Sequence, residues 1–176
     1  RVLLEGSRAV GVAAIGPEGP VEYRAGRVVL AGGAYGSPLI LQRSGIGDPT
    51  DLAPLGIATI HELRGVGKNL QDHPAIALSY GGTPELFARM DRFLAEGGLP
   101  REEGTIALAS SSRCEELFDL HLYPVGSMVK DAAGSPAGWS LAIAAAVMAP
   151  RSAGFLRITG ADPEAAPLID HCYLTD

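Results

Sequence analysis

The sequence predicts a mixed chain, α/β at its start and α+β beyond residue 74, and three observations carry that prediction. An unbroken apolar run, Val28-Val29-Leu30-Ala31, leads into a glycine pair and then a short apolar helix. Turn-rich hairpin patterns precede it. After Pro74 the chain changes to β-type runs interrupted by residues at helical spacing.

Arg1 to Glu5 and Arg8 to Ala14 read as paired strands around the turn-like triplet Glu5-Gly6-Ser7. Gly16-Pro17-Glu18-Gly19-Pro20 makes a second turn before Val21 to Tyr23, so a small antiparallel ribbon opens the chain. Arg27 to Ala31 follows as a strand whose lack of polar alternation predicts cover on both faces. Gly32 and Gly33 then allow a tight turn with no Cβ in the way of a close ligand. In the helix that follows, Ser37 is the expected cap, Pro38 suits the first turn and Gly45 ends it. Thr50 to Leu55 reads as a short helix with Thr50 as cap and Gly56 as stop, and Ile57 to Leu63 as a strand. Glycines, Asn69, Asp72 and Pro74 make Arg64 to Pro74 irregular, and the domain crossing is expected there.

Beyond the crossing, Leu86, Phe87, Met90, Phe93 and Leu94 recur at helical spacing within Glu85 to Ala95, and Gly97-Gly98 stops that helix. Thr105 to Ala109, Leu117 to Val125, Ser140 to Met148 and Gly154 to Thr159 read as strands of one antiparallel sheet. The alanine-rich run Leu141 to Ala149, within one of these stretches, equally suits a helix by propensity. The expected domains are therefore residues 1–74 and 75–176.

Composition excludes several classes. The 176 residues suffice for one domain-sized core, and 47% hydrophobic content rules out a disordered tail. Leu141 to Ala149, the longest apolar run, is about half of what a membrane span needs. A net charge of −6 with scattered Lys and Arg leaves no electrostatic footprint for nucleic acid. Without a basic-then-apolar leader in this segment, and with Cys114 and Cys172 far apart and outside any CxxC, a cytoplasmic protein with two free thiols is expected.

At Gly33-Ala34, Ser37-Pro38, Ile40-Leu41 and Ser44-Gly45-Ile46-Gly47 the chain resembles the second signature of the glucose-methanol-choline (GMC) oxidoreductases, without a gap. The resemblance continues through Leu52-Ala53-Pro54-Leu55-Gly56-Ile57 and Gly65-Val66-Gly67-Lys68-Asn69-Leu70-Gln71-Asp72-His73. Phe118-Asp119-Leu120-His121-Leu122, Pro150-Arg151-Ser152-Ala153-Gly154, Asp162-Pro163 and Pro167 to Leu174 are similar to strands of the family's substrate domain. The resemblance implies part of a Rossmann-like FAD-binding domain joined to a reduced antiparallel substrate domain. It implies an enzyme that oxidises a small-molecule alcohol with FAD. The family's N-terminal Gly-x-Gly-x-x-Gly and C-terminal His-His or His-Asn pair are not in this sequence; Gly45-Ile46-Gly47 and Gly65-Val66-Gly67 are poor imitations of the former. The chain alone is thus expected to be inactive, with the remainder of the enzyme or a complementary subunit as its partner; a non-catalytic remnant serving as a binding module is the alternative.

For FAD the candidate residues are Ala31, Gly32 and Gly33, which the resemblance places near the adenosine half, with Tyr35 packing nearby; a packing turn without ligand contact is the competing reading. No residue is assigned to catalysis and none to a metal. His73 beside Asp72 has the makings of an oriented general base, but both, with Asn69, read as organisers of irregular backbone. His121 sits on an alternating strand and reads as structural ahead of pocket-lining. His171-Cys172 has no second ligand pair at metal spacing. Ser44 lacks the glycine two positions earlier that a nucleophile elbow needs, and Ser37 reads as a cap.

Overall fold

The computed structural model describes residues 1–99, 104–125 and 139–175. The opening ribbon forms as expected: β1 (Val2–Glu5), β2 (Arg8–Gly16) and β3 (Gly19–Arg24) make an antiparallel sheet in the order β1-β2-β3. The buried strand at Arg27 to Ala31 does not form. That stretch is extended but unpaired, and Val29 is 78% exposed. A strand covered on both faces needs neighbours, and no described segment hydrogen-bonds to this one as a ladder.

Helix α1 (Gly33–Arg43) starts earlier than Ser37, with Gly32 as the capping position, so Pro38 lies inside the helix and gives the Ala34 carbonyl no donor. Gly45 ends α1 as expected, its N–H bonding to Gln42 O. The ribbon is tied to this end of the helix. Ser44 Oγ accepts Val2 N–H at 2.8 Å and donates to Ile40 O at 2.6 Å.

β4 (Ile46–Gly47) then pairs in parallel with β5 (His61–Glu62), all that becomes a strand of the expected Ile57 to Leu63. Between them lie α2 (Pro49–Leu52) and a 3-10 turn at Ala53–Leu55. Asp48, not Thr50, caps α2: its Oδ1 accepts Thr50 N–H at 2.9 Å and Thr50 Oγ1–H at 2.7 Å, bonds that hold its carboxyl below the usual range. The irregular stretch after Arg64 contains β6 (Lys68–Leu70).

The chain next builds an antiparallel sheet in the order β7-β10-β9-β8 from β7 (Ala75–Gly81), β8 (Ala107–Ala109), β9 (Leu120–Val125) and β10 (Ser140–Val147). Strand wins over helix in the alanine-rich run because alternate residues serve different faces. Ala142, Ala144 and Ala146 are buried, whereas Leu141 and Ile143 are exposed and stand opposite Tyr80 and Leu78 of β7, also exposed. Helix α3 (Pro84–Ala95) is capped by Thr83, whose Oγ1 accepts Leu86 N–H, and Gly97 and Gly98 close it on the Leu94 and Phe93 carbonyls. Trp139 Nε1–H donates to Asp91 of this helix at 3.2 Å.

Finally β11 (Gly154–Arg157) pairs with β12 (Leu168–Asp170) on one side and with β6 on the other. The stretch Gly154 to Thr159 therefore does not join the β7–β10 sheet. Two compact units result, Arg1–Asp72 with Arg151–Asp176, and His73–Pro150. Residues 151–176 group with the first of these units, and not with the stretch after Pro74, because the β6 ladder that recruits them is a non-local pairing. In the first unit Leu52, Val66, Leu70, Leu156 and Ile158 form the core. Gln42 lies among the buried residues with them. Its Oε1 accepts Ile158 N–H at 2.9 Å and its Nε2 donates to Leu156 O at 3.2 Å, joining α1 to β11 and the residue after it.

Candidate functional site

The residues expected at the cofactor, Ala31, Gly32 and Gly33, form the corner that leads into α1, and all three are exposed. Gly33 adopts φ +71°, a conformation that favours glycine, and a Cβ there would meet open space. Gly32 is constrained by its own helix instead, since a Cβ would sit 3.0 Å from Ser37 N. The helix carries no side-chain cap and no acidic residue in its first turn. Its leading N–H groups and the positive end of its dipole therefore meet no carboxylate from that turn. Ser37 contributes differently from its expected role. From the second turn its Oγ reaches back to accept Gly32 N–H at 2.9 Å, stiffening the corner from inside.

Tyr35, third residue of α1, meets a cluster that its place in the sequence does not announce. Its hydroxyl lies 3.0 Å from His171 Nε2. His171 stacks on Tyr173, ring centroids 4.9 Å apart, and Tyr173 donates its hydroxyl to Asp72 Oδ2 at 3.1 Å. The same Asp72 oxygen stands 3.8 Å from His171 Nε2. Desolvation, helped by Asp72, pushes the Tyr173 phenol above its ordinary pKa, and desolvation does the same for the Cys172 thiol. The pair Asp72 and His73 expected to organise a loop thus divides at Asp72, whose carboxylate serves this cluster.

The other singled-out residues take separate places. Asn69 adopts φ +57°, which asparagine tolerates better than most residues, within β6. His121 stacks on Phe118 at 5.6 Å on β9. Cys114 and Cys172 are free thiols, and no metal-binding cluster occurs among the described residues. A cleft of about 750 Å³ is lined by Arg1, Ile15, Glu22, Arg43 and Glu164 among others, but by none of the corner residues. Among the described residues no helix is long and apolar enough to cross a membrane.

Sequence reasoning missed one residue and one link. Gln42, polar at the end of the apolar run Leu39-Ile40-Leu41, carried a readable signal: a lone amide on a buried helix must find backbone partners. The link between Tyr35 and His171 spans 136 positions and had no local signal.

Comparison with known proteins agrees with this architecture. Residues 1–75 match the family model of the GMC oxidoreductases. The oxygen-dependent choline dehydrogenase of Chromohalobacter salexigens is 54% identical over 77 residues, 43% of this chain and 14% of that protein. An uncharacterized GMC-type oxidoreductase of Rhodococcus erythropolis is 28% identical over 174 residues, 99% of this chain and 32% of that protein. The fold is shared with pyridoxine 4-oxidase from Mesorbium loti, at 24% identity and a TM-score of 0.75, covering 99% of this chain and 34% of that one. It is shared also with Aspergillus oryzae formate oxidase, in a structure concerned with FAD modification, at 20% identity and a TM-score of 0.79, covering 100% and 39%. The chain spans well under half the length of each of these proteins. The first 75 residues thus match the GMC oxidoreductase family model, and nearly the whole length is similar to a GMC-type relative, of whose length it covers a part.

Proposed function

We propose that this chain forms one wall of the FAD site, and part of the substrate domain, of an enzyme that oxidises the CH–OH carbon of a small alcohol. In this reading the unit built from Arg1–Asp72 and Arg151–Asp176 belongs to FAD binding, the unit His73–Pro150 belongs to substrate binding, and the protein works in the cytoplasm. The single observation that supports it most is the open corner, where the GMC signature coincides with exposed main chain at Ala31 to Gly33 and an uncapped helix start.

When bound, FAD supplies the hydride acceptor, a chemistry that no side chain provides. The residues of this chain bind and orient. Bare main chain at Ala31, Gly32 and Gly33 permits close approach of the adenosine half, and the first-turn N–H groups of α1 favour a ligand rich in acceptors and negative charge. The absence of an acidic residue in that turn suits the same ligand. The hydroxyl proton goes, in this reading, to a histidine from the remainder of the polypeptide or from a complementary subunit, since no described residue here is assigned that step.

The test compares two preparations. The 176-residue polypeptide alone is expected to show no flavin absorbance and no alcohol-dependent dye reduction, while the complete protein that carries it binds FAD. Tightly bound FAD in the isolated chain overturns the one-wall reading, and a complete protein without flavin overturns the assignment of the corner.

A further inference from the structure

We propose that His171 is a positioning residue for the cofactor corner, holding the first turn of α1 in place through the Tyr35 hydroxyl. This rests on the reading of that corner as part of the FAD site. Two independent features point to it.

The first is the hydrogen-bond chain. Tyr35 lies two residues beyond Gly33, in the first turn of α1, so a hold on its hydroxyl restrains the turn that follows the corner. Its hydroxyl has His171 Nε2 at 3.0 Å, and either imidazole tautomer sustains that bond, accepting from the phenol or donating to it. The imidazole cannot wander: it is stacked on Tyr173, and Asp72 stands 3.8 Å from the same nitrogen while accepting the Tyr173 hydroxyl.

The second is the backbone that carries His171. Directly after β12, Cys172 and Leu174 both adopt positive φ, +50° and +60°, which residues with a Cβ rarely do. Such conformations persist only where surrounding contacts over-determine them. Here Asp170 Oδ1 accepts Cys172 N–H at 2.8 Å and Thr175 donates to Cys172 O at 2.8 Å. At Gly154 of β11 a Cβ would collide with Asp170 O and with the His171 Cα at 2.6 Å, so the strap rests directly on the sheet. A strained strap anchored on both sides, beginning with an imidazole that holds the first turn of the helix, is a brace. The buried hydrophobic core of the first unit is supplied by other residues.

The test uses the complete FAD-binding protein, stripped of flavin and titrated with FAD, with Y35F, H171A, H171Q and the double variant Y35F/H171A. Y35F and H171A are each expected to weaken FAD binding roughly 3- to 10-fold, the loss of one useful hydrogen bond. The double variant is expected to be no more than about 2-fold worse than either, because both remove the same link. Glutamine reaches far enough to keep a bond to the phenol, so H171Q is expected within about 2-fold of the parent. A merely structural role would lower the melting temperature of the flavin-free protein without this coupled pattern. Unchanged affinity in Y35F, which removes one oxygen and leaves folding intact, overturns the inference, as do fully additive effects. A parent protein that takes up no FAD overturns the functional reading instead, a result distinct from uptake with unaffected variants.

Discussion

Replacing Gln42 by leucine tests how the first unit is held together. Gln42 is 1% exposed, and leucine is close to it in size, so the change removes polar partners without leaving a large void. Two bonds of ordinary length disappear, from Ile158 N–H at 2.9 Å and to Leu156 O at 3.2 Å; the contact with Val66 O at 3.4 Å is too long to count for much. A buried group left without a partner costs about 1–3 kcal/mol, and sparing the amide its own desolvation returns part of that, so a net loss of about 2–4 kcal/mol is expected. With a urea slope of about 2 kcal/mol/M, the unfolding midpoint of this unit falls by about 1–2 M, read by circular dichroism. Q42E is expected to be worse than Q42L at neutral pH, since it adds a buried charge and cannot donate to Leu156 O. A Q42L midpoint within about 0.2 M of the parent would refute the view that the amide links α1 to β11.

Gly67→Ala strikes the same junction from the other side: with φ +79° and a Cβ that would collide with Leu156 O and Gln42 Nε2, it is expected to destabilise by at least about 2 kcal/mol in the same urea assay. Asp119 carries the pH prediction. Hydrogen bonds from the Ser111 hydroxyl and then from its backbone N–H depress the folded-state pKa below the ordinary carboxylate range. The stabilisation from Asp119 is therefore fully present above the unfolded-state range and is lost as pH falls through the lower folded pKa. An NMR titration of the Asp119 carboxyl is expected to show the depressed midpoint, and Ser111→Ala to move it upward; an unmoved midpoint rejects the assignment.

Short-range features of the fold were legible. The ribbon turns, the Gly45 and Gly56 stops, helix α3 with its glycine stop, and three strands of the second unit follow from turn chemistry and periodicity acting over a few residues. A helix directly after the Gly32-Gly33 pair was legible too, because those residues lie together in sequence. The start of α1 was misjudged at Ser37. A serine before proline has the composition of a cap, but the hydroxyl found its amide five residues back, within the helix it was expected to open.

The likeness to the GMC oxidoreductases and the gathering of small residues just before α1 could be read from the chain alone, since a motif and local propensity need no distant partner. Tertiary structure decided three other matters. Val28 to Ala31 stays unpaired because a ladder requires neighbours, whatever the hydrophobicity of the run. Residues 151–176 rejoin the first unit because β11 finds β6 across more than eighty positions of chain. Tyr35, Asp72, His171 and Tyr173 converge for the same reason, and proximity in space between distant residues leaves no periodic trace in the chain that carries them.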